Sequence, residues 1–179
     1  EEDSVELIIQ PLFNLSVAIS SETNSFQGGT DVTLGESRTL CVGTIVNDGN
    51  VTALWSKKTD ATTAGAPTDW TLQTSGVVAK DSFRLLAVTT STVSQPGMTG
   101  GWTVNSDNGL INGDHDASAG PCVTAAYTAL TEGGTASPQH IANVVTVSTR
   151  ALWVSIMMPN DISEGTAQTI TLSVQAATP

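Results

Sequence analysis

Positive charge is scarce in this chain. Its 179 residues include 6 Lys plus Arg against 17 Asp plus Glu, a formal net charge of −11. Such a surface repels a phosphate backbone, which argues against nucleic-acid binding. Charge of either sign is thin, at 13% of residues, low for a cytosolic globular protein. No run of about 18 apolar residues occurs, so no membrane-spanning helix is expected. The chain starts at Glu1 with no initiator Met and no apolar leader. That start reads as a mature chain whose export signal has been removed. Catalytic and metal signatures are missing too. There is no H-E-x-x-H or C-x-x-C spacing and no G-x-S-x-G elbow. A glycosidase carboxylate pair meets only in the fold, and nothing in the sequence picks one out. The chain is therefore expected not to be an enzyme.

Thr and Ser make up about a quarter of the residues. Polar, uncharged β-formers suit an exposed all-β surface. No amphipathic helix emerges. Candidate strands recur between turn signals instead, as in a sandwich or barrel. RTLCVGTIV (38–46) runs through the turn NDGN into VTALWSK (51–57), which reads as a hairpin around Asp48 and Gly49. DWTLQT (69–74) is a short strand. DSFRLLAVTT (81–90) carries apolar residues on both parities and reads as buried on both faces. PCVTAAYTAL (121–130), IANVVTVST (141–149), ALWVSIMMP (151–159) and AQTITLSVQA (167–176) complete the set. In the last two, Leu152, Val154, Ile156, Met158 and Ile170, Leu172, Val174, Ala176 alternate. The fold class is all-β: an immunoglobulin-like or jelly-roll-like β-sandwich of about nine or ten strands with a long N-terminal strand.

That N-terminal strand is the most distinctive stretch. In VELIIQPLFNLSVAIS (5–20), Val5, Leu7, Ile9, Phe13, Leu15, Val17 and Ile19 share odd positions. Ile8 and Leu12 break the alternation. Extended, the run would reach roughly 50 Å, against a usual strand of about 5–6 residues. Pro11 lacks the N–H of a central strand and marks a bend or a handover between sheets. The run divides there into about 4–10 and 12–20. The organisation is then 1–11 as an N-terminal strand, free to act between subunits, and 12–179 as one sandwich domain. A Gly-, Ser-, Asn- and Asp-rich insertion falls at about 91–121.

Cys41 and Cys122 form an even count in an apparently exported chain, which points to one disulfide. It would close a loop of about 81 residues, worth about 4–5 kcal/mol on the chain-entropy model. Two buried thiols are the competing reading. SDNGLINGDHDAS (106–118) offers oxygen ligands in Asp107, Asp114 and Asp116, weak candidates for calcium; a solvated turn-rich loop accounts for them as well. No resident cofactor is expected. Asn14-Leu15-Ser16 and Asn50-Val51-Thr52 are glycosylation sequons. Trp55, Trp70, Trp102 and Trp153 offer either a sugar-stacking platform or core anchors. His115 and His140, the only histidines, read as surface residues.

IVNDGNV (45–51) resembles the V-x-N-x-G-N hairpin of immunoglobulin-like surface modules of bacteria and archaea. ALWVSIMMPNDISEGTAQTITLSVQA (151–176) resembles their final hairpin, in which a strand ends in Pro before a Gly-containing turn and a last alternating strand. DWTLQTSG and DSFRLLAV resemble elements of secreted bacterial surface proteins. The resemblance implies an extracellular or cell-surface β-sandwich. Chaperone-assembled pili and other surface filaments use a terminal strand that completes a neighbour's sheet. Segment 4–10 has that composition, and Pro11 offers a point of departure. Main-chain hydrogen bonds would supply affinity and alternate side chains specificity, in an open head-to-tail polymer. The expected function is therefore a structural subunit of an extracellular, pilus-like filament. Val5, Leu7, Ile8, Ile9 and Pro11 form its polymerisation strand, copies of itself are its partners, and an edge near 170–174 is one acceptor. The alternative is a secreted carbohydrate-binding or adhesion module acting as a monomer, with 4–20 kept in its own sandwich and glycans as ligands.

Overall fold

The computed structural model describes residues 14–20, 34–65, 67–75, 77–90, 123–132, 139–140, 144–145 and 148–179. Their regular structure is entirely β. The strands are β1 (Ala18–Ile19), β2 (Ser37–Val46), β3 (Leu54–Thr59), β4 (Thr71–Leu72), β5 (Ser82–Thr90), β6 (Thr128–Ala129), β7 (Thr131–Glu132), β8 (Gln139–His140), β9 (Thr149–Met157) and β10 (Leu172–Ala177). No helix occurs among the described residues.

The larger sheet runs β1-β2-β9-β5 and continues through β7 to β8, with β4 also beside β5. The first four strands are antiparallel neighbours; β4 and β7 lie parallel to β5. β5 is buried along both faces, as its double-parity sequence requires. Phe83, Leu85 and Ala87 join the main core, while Leu86 and Val88 pack on the opposite face with Trp153. β2 carries a bulge: Cys41 pairs with Trp153 and Gly43 with Leu152, which leaves Val42 as the extra residue. Gly43 takes a φ of 148°, a value a side chain would resist. The bulge lets both Val42 and Ile45, three positions apart, face the core.

The smaller sheet is β10-β3-β6, antiparallel throughout. Trp55, Lys57 and Thr59 of β3 point inward, in the strict alternation of a strand with one buried face. Trp55 meets Ile45, Phe83, Leu85, Leu130, Leu152, Val154 and Ile156 in one apolar cluster between the sheets. The described residues thus form two β-sheets around a shared core, consistent with a β-sandwich.

Both expected hairpins are sheet-crossing arches instead. β2 and β3 belong to different sheets, so RTLCVGTIV and VTALWSK do not pair. The arch is pinned by Asn47, which is fully buried. Its Nδ2 donates to the carbonyls of Val51 (2.8 Å) and Val144 (2.7 Å). Its Oδ1 accepts from the Gly49 N–H at 3.1 Å. β9 and β10 are likewise split between the sheets. The segment between them is tied to the body by Asp81, which accepts from Ser163 N at 2.7 Å and Ser163 Oγ at 2.5 Å. Reciprocal backbone bonds join Ala64 and Thr169 as well. The physical reason is common to both arches. Each strand has one apolar face, and crossing to the other layer lets successive strands cover each other's faces, which pairing side by side does not.

Among the described residues, PCVTAAYTAL is strand only at Thr128 and Ala129, and DWTLQT only at Thr71 and Leu72. IANVVTVST contributes an isolated bridge at Val144 and the start of β9. The expected insertion at about 91–121 lies outside the described residues.

Candidate functional site

The core is unevenly covered. Its fully buried members come mainly from β3, β5 and β9, at the centre of the sandwich. Around it, Leu15, Val17 and Ile19 at β1, Val42 on β2, and Leu172, Val174 and Ala176 on β10 pack against the core but remain half-buried. Leu72 on β4, Met158, Ile162 and Ile170 are also only partly buried against the core. β6 is followed after one residue by β7, which pairs with β5, so the β6 side of the small sheet lies over β5. β10, on the other side of β3, therefore lies over the β2 and β1 side.

The result is a seam between the two sheets. β1 forms its wall in the large sheet and β10 its wall in the small sheet. β10 pairs with β3 along six registered positions, Leu172 opposite Thr59 to Ala177 opposite Leu54. Its other edge pairs with no described strand. A row of backbone donors and acceptors on such an edge is a template for another strand.

Strand directions orient the seam. β1 runs antiparallel to β2, with Ala18 opposite Val46, so the chain before β1 lies toward the arch at residues 47–51. Asn14 is seated there: its N–H donates to Asn50 Oδ1 at 2.7 Å, and its carbonyl accepts from Asn50 N at 3.0 Å. The same end holds the finish of β10, since Ala177 pairs with Leu54 just past the arch. Gly49 permits this seating. A Cβ there would strike the Asn14 carbonyl and sit 2.9 Å from Ser16 N.

Of the residues singled out in the sequence, Val5, Leu7, Ile8, Ile9 and Pro11 lie outside the described residues, as do Cys122, Asp107, Asp114, Asp116, His115 and Trp102. Cys41 is half-buried, its Sγ 3.7 Å from the Gly43 carbonyl; Cys122 lies outside the described residues, so its pairing with Cys41 stays an expectation. The two sequon asparagines, Asn14 and Asn50, are both exposed and touch each other across the arch, a proximity the 36-residue separation hides. Trp55 and Trp70 are in the core, 0% and 5% exposed, so neither offers a face for stacking a sugar. Trp153 is half-buried. No cluster of three or more His, Cys, Asp or Glu with metal-binding geometry occurs among the described residues.

Sequence reasoning missed Val42 as a seam residue, because the bulge at Gly43 breaks the alternation that would have assigned its face. The lone glycine inside a strand pattern was the available signal. No protein-family model matches the chain, and no curated protein is significantly similar to it.

Proposed function

We propose that the chain is the structural subunit of an extracellular, pilus-like filament and polymerises by donating its N-terminal strand, with Val5, Leu7, Ile8 and Ile9 ahead of Pro11, to a neighbouring copy. The observation that supports this reading is β10, a six-residue strand whose second edge pairs with none of the described residues, beside a row of half-buried apolar side chains. A strand added there gains main-chain hydrogen bonds and covers apolar surface, the two ingredients of β-augmentation. Each Val, Leu or Ile it buries is worth about 1.5–3 kcal/mol.

The strand order supports an immunoglobulin-like type for the sandwich. In constant-type immunoglobulin domains the first, second, fifth and fourth strands form one sheet; the third, sixth and seventh form the other. Here β1, β2, β9 and β5 follow the first order, and β3 and β10 stand as third and sixth. The seventh position, beside β10, is held by none of the described residues. Trp55, buried on the third strand, matches the core tryptophan of that fold.

Deletion of residues 1–10 tests the function. Negative-stain microscopy should show filaments for the full chain and none for the truncated one, while circular dichroism reports the same β fold in both. Filaments that persist after the deletion would rule out the N-terminal strand as the joint.

A further inference from the structure

We infer that Cys41 does not pair with Cys122 of its own chain, and that oxidation of Cys41 instead joins it to a thiol from a second molecule. The inference is independent of the filament reading above. It sets a thiol open to an outside partner in place of the internal disulfide that the cysteine count suggests.

Cys41 lies on the outer face of the large sheet. It stands directly opposite Trp153 of β9. Residues directly opposite in an antiparallel pair share a face. Trp153 packs with Leu86 and Val88, on the side of the sheet away from the main core. Cys41 is half-buried there, and its Sγ donates to the Gly43 carbonyl at 3.7 Å.

Val123, bonded to Cys122 through one peptide unit, sits on the far side of β5 from Cys41. Its N–H donates to the Leu85 carbonyl at 2.9 Å. β9 occupies one edge of β5 from Arg84 to Thr90, so Val123 is on the opposite edge. The chain then crosses to the small sheet. The Thr59 N–H donates to the Thr124 carbonyl at 3.0 Å, and the Leu130 N–H donates to the Trp55 carbonyl at 2.9 Å, both on β3. Val123 is itself fully buried in the main core, which holds this end of the segment in place.

The strand register turns this placement into a distance. Cys41 is opposite Trp153, and Trp153 is opposite Val88, three residues along β5 from Leu85. Those three residues cover about 10 Å along the strand, and the three strand spacings from Cys41 to Val123 cover about 14 Å across the sheet. The diagonal is about 17 Å. One peptide step from Val123 recovers at most about 3.8 Å. About 13 Å is then left between the two Cα atoms, against about 4.4–6.8 Å in a disulfide. Rotating side chains does not close that gap. An internal bond would need Val123 drawn out of the core.

A disulfide takes two electrons and two protons from two thiols, so an oxidant must accept them. Oxidised glutathione, a small disulfide, can do so. The Cys41 thiolate attacks one of its sulfurs and one glutathione thiol leaves. The mixed disulfide either persists or is attacked by a thiolate of a second chain, which releases the other glutathione.

Isotope mixing tests the inference. Reduced full-length chains of natural and heavy isotopic composition are mixed, treated with oxidised glutathione, alkylated, and digested with trypsin without reduction. Cleavage after Lys and Arg places Cys41 in peptide 39–57 and Cys122 in peptide 85–150. The expected result is Cys41 alkylated, carrying glutathione, or in disulfides that mix light with heavy peptides. A sample oxidised in denaturant should instead join 39–57 to 85–150 within single chains, because the fold no longer separates them. That same link in the folded sample, light only with light and heavy only with heavy, would overturn the inference. Thermal melts supply a second reading. Reductant should leave the melting temperature of the monomer unchanged, and a drop of several degrees on reduction would overturn the inference as well.

Discussion

Asn47, Gly49 and Asp81 show how single side chains direct the layers. Asn47 binds the carbonyls of Val51 and Val144 and the N–H of Gly49 from a fully buried position. Such an amide leaves few groups unpaired in the arch it closes. Asp81 has a φ of 48°, a left-handed conformation that Asp and Asn tolerate better than most residues. Hydrogen bonds from the Ser163 hydroxyl and backbone N–H, with Lys80 nearby, hold its carboxyl below the ordinary value of 3.8. A lowered folded-state pKa adds stability that is complete above the unfolded value and is lost as the pH falls through the folded one. Asp81→Asn preserves the backbone conformation and removes the charge. Its melting temperature should therefore fall below that of the parent near neutral pH, and the gap should begin to narrow below about pH 3.9 and close only once the pH has fallen through the lowered folded-state value. Thermal melts at both ends of that range check it; a gap that stays constant with pH would mean the charge is not the cause.

At the level of elements, the crossing of β2 to β3 is what lets β1 and β10 become the two walls of one seam. The crossing depends on close approach between the arch and the lead-in to β1. Gly49→Ala would place a methyl against the Asn14 carbonyl and Ser16 nitrogen, backbone atoms that cannot rotate away. The expected loss is about 1–3 kcal/mol, the usual cost of overpacking. Urea denaturation measures it, and an unchanged midpoint would mean that the lead-in shifts freely. The faces of these elements were legible in the sequence. Leu152, Val154 and Ile156 alternate and are buried as expected, and β5 is covered on both sides. Their pairing was not legible. NDGN has the composition of a hairpin turn, but the same residues here close an arch, because Asn47 reaches across to Val144, 97 residues away.

For the molecule as a whole, a net charge of −11 means that copies repel one another. The proposed donor segment adds Glu6 next to Glu1, Glu2 and Asp3. Polymerisation should accordingly speed up with ionic strength, as the Debye length shortens from about 30 Å at 0.01 M to about 8 Å at 0.15 M. Light scattering during assembly checks this. Slowing by salt would point instead to an attractive charge pair at the joint. The sequence alone determined that the described part is β-rich, that alternating residues such as Leu152, Val154 and Ile156 face its core, and that Val5, Leu7 and Ile9 continue an apolar stripe past any ordinary strand length. Those properties are local, since period-2 alternation and turn residues act over a few positions. Tertiary structure alone decided that β2 and β3, and β9 and β10, cross between layers, that Val42 joins the core through a bulge, and that half-buried apolar residues of β1 and β10 lie on the two sheets. These depend on which apolar faces meet across about 10 Å of sandwich, a long-range outcome that neighbours in the chain do not encode.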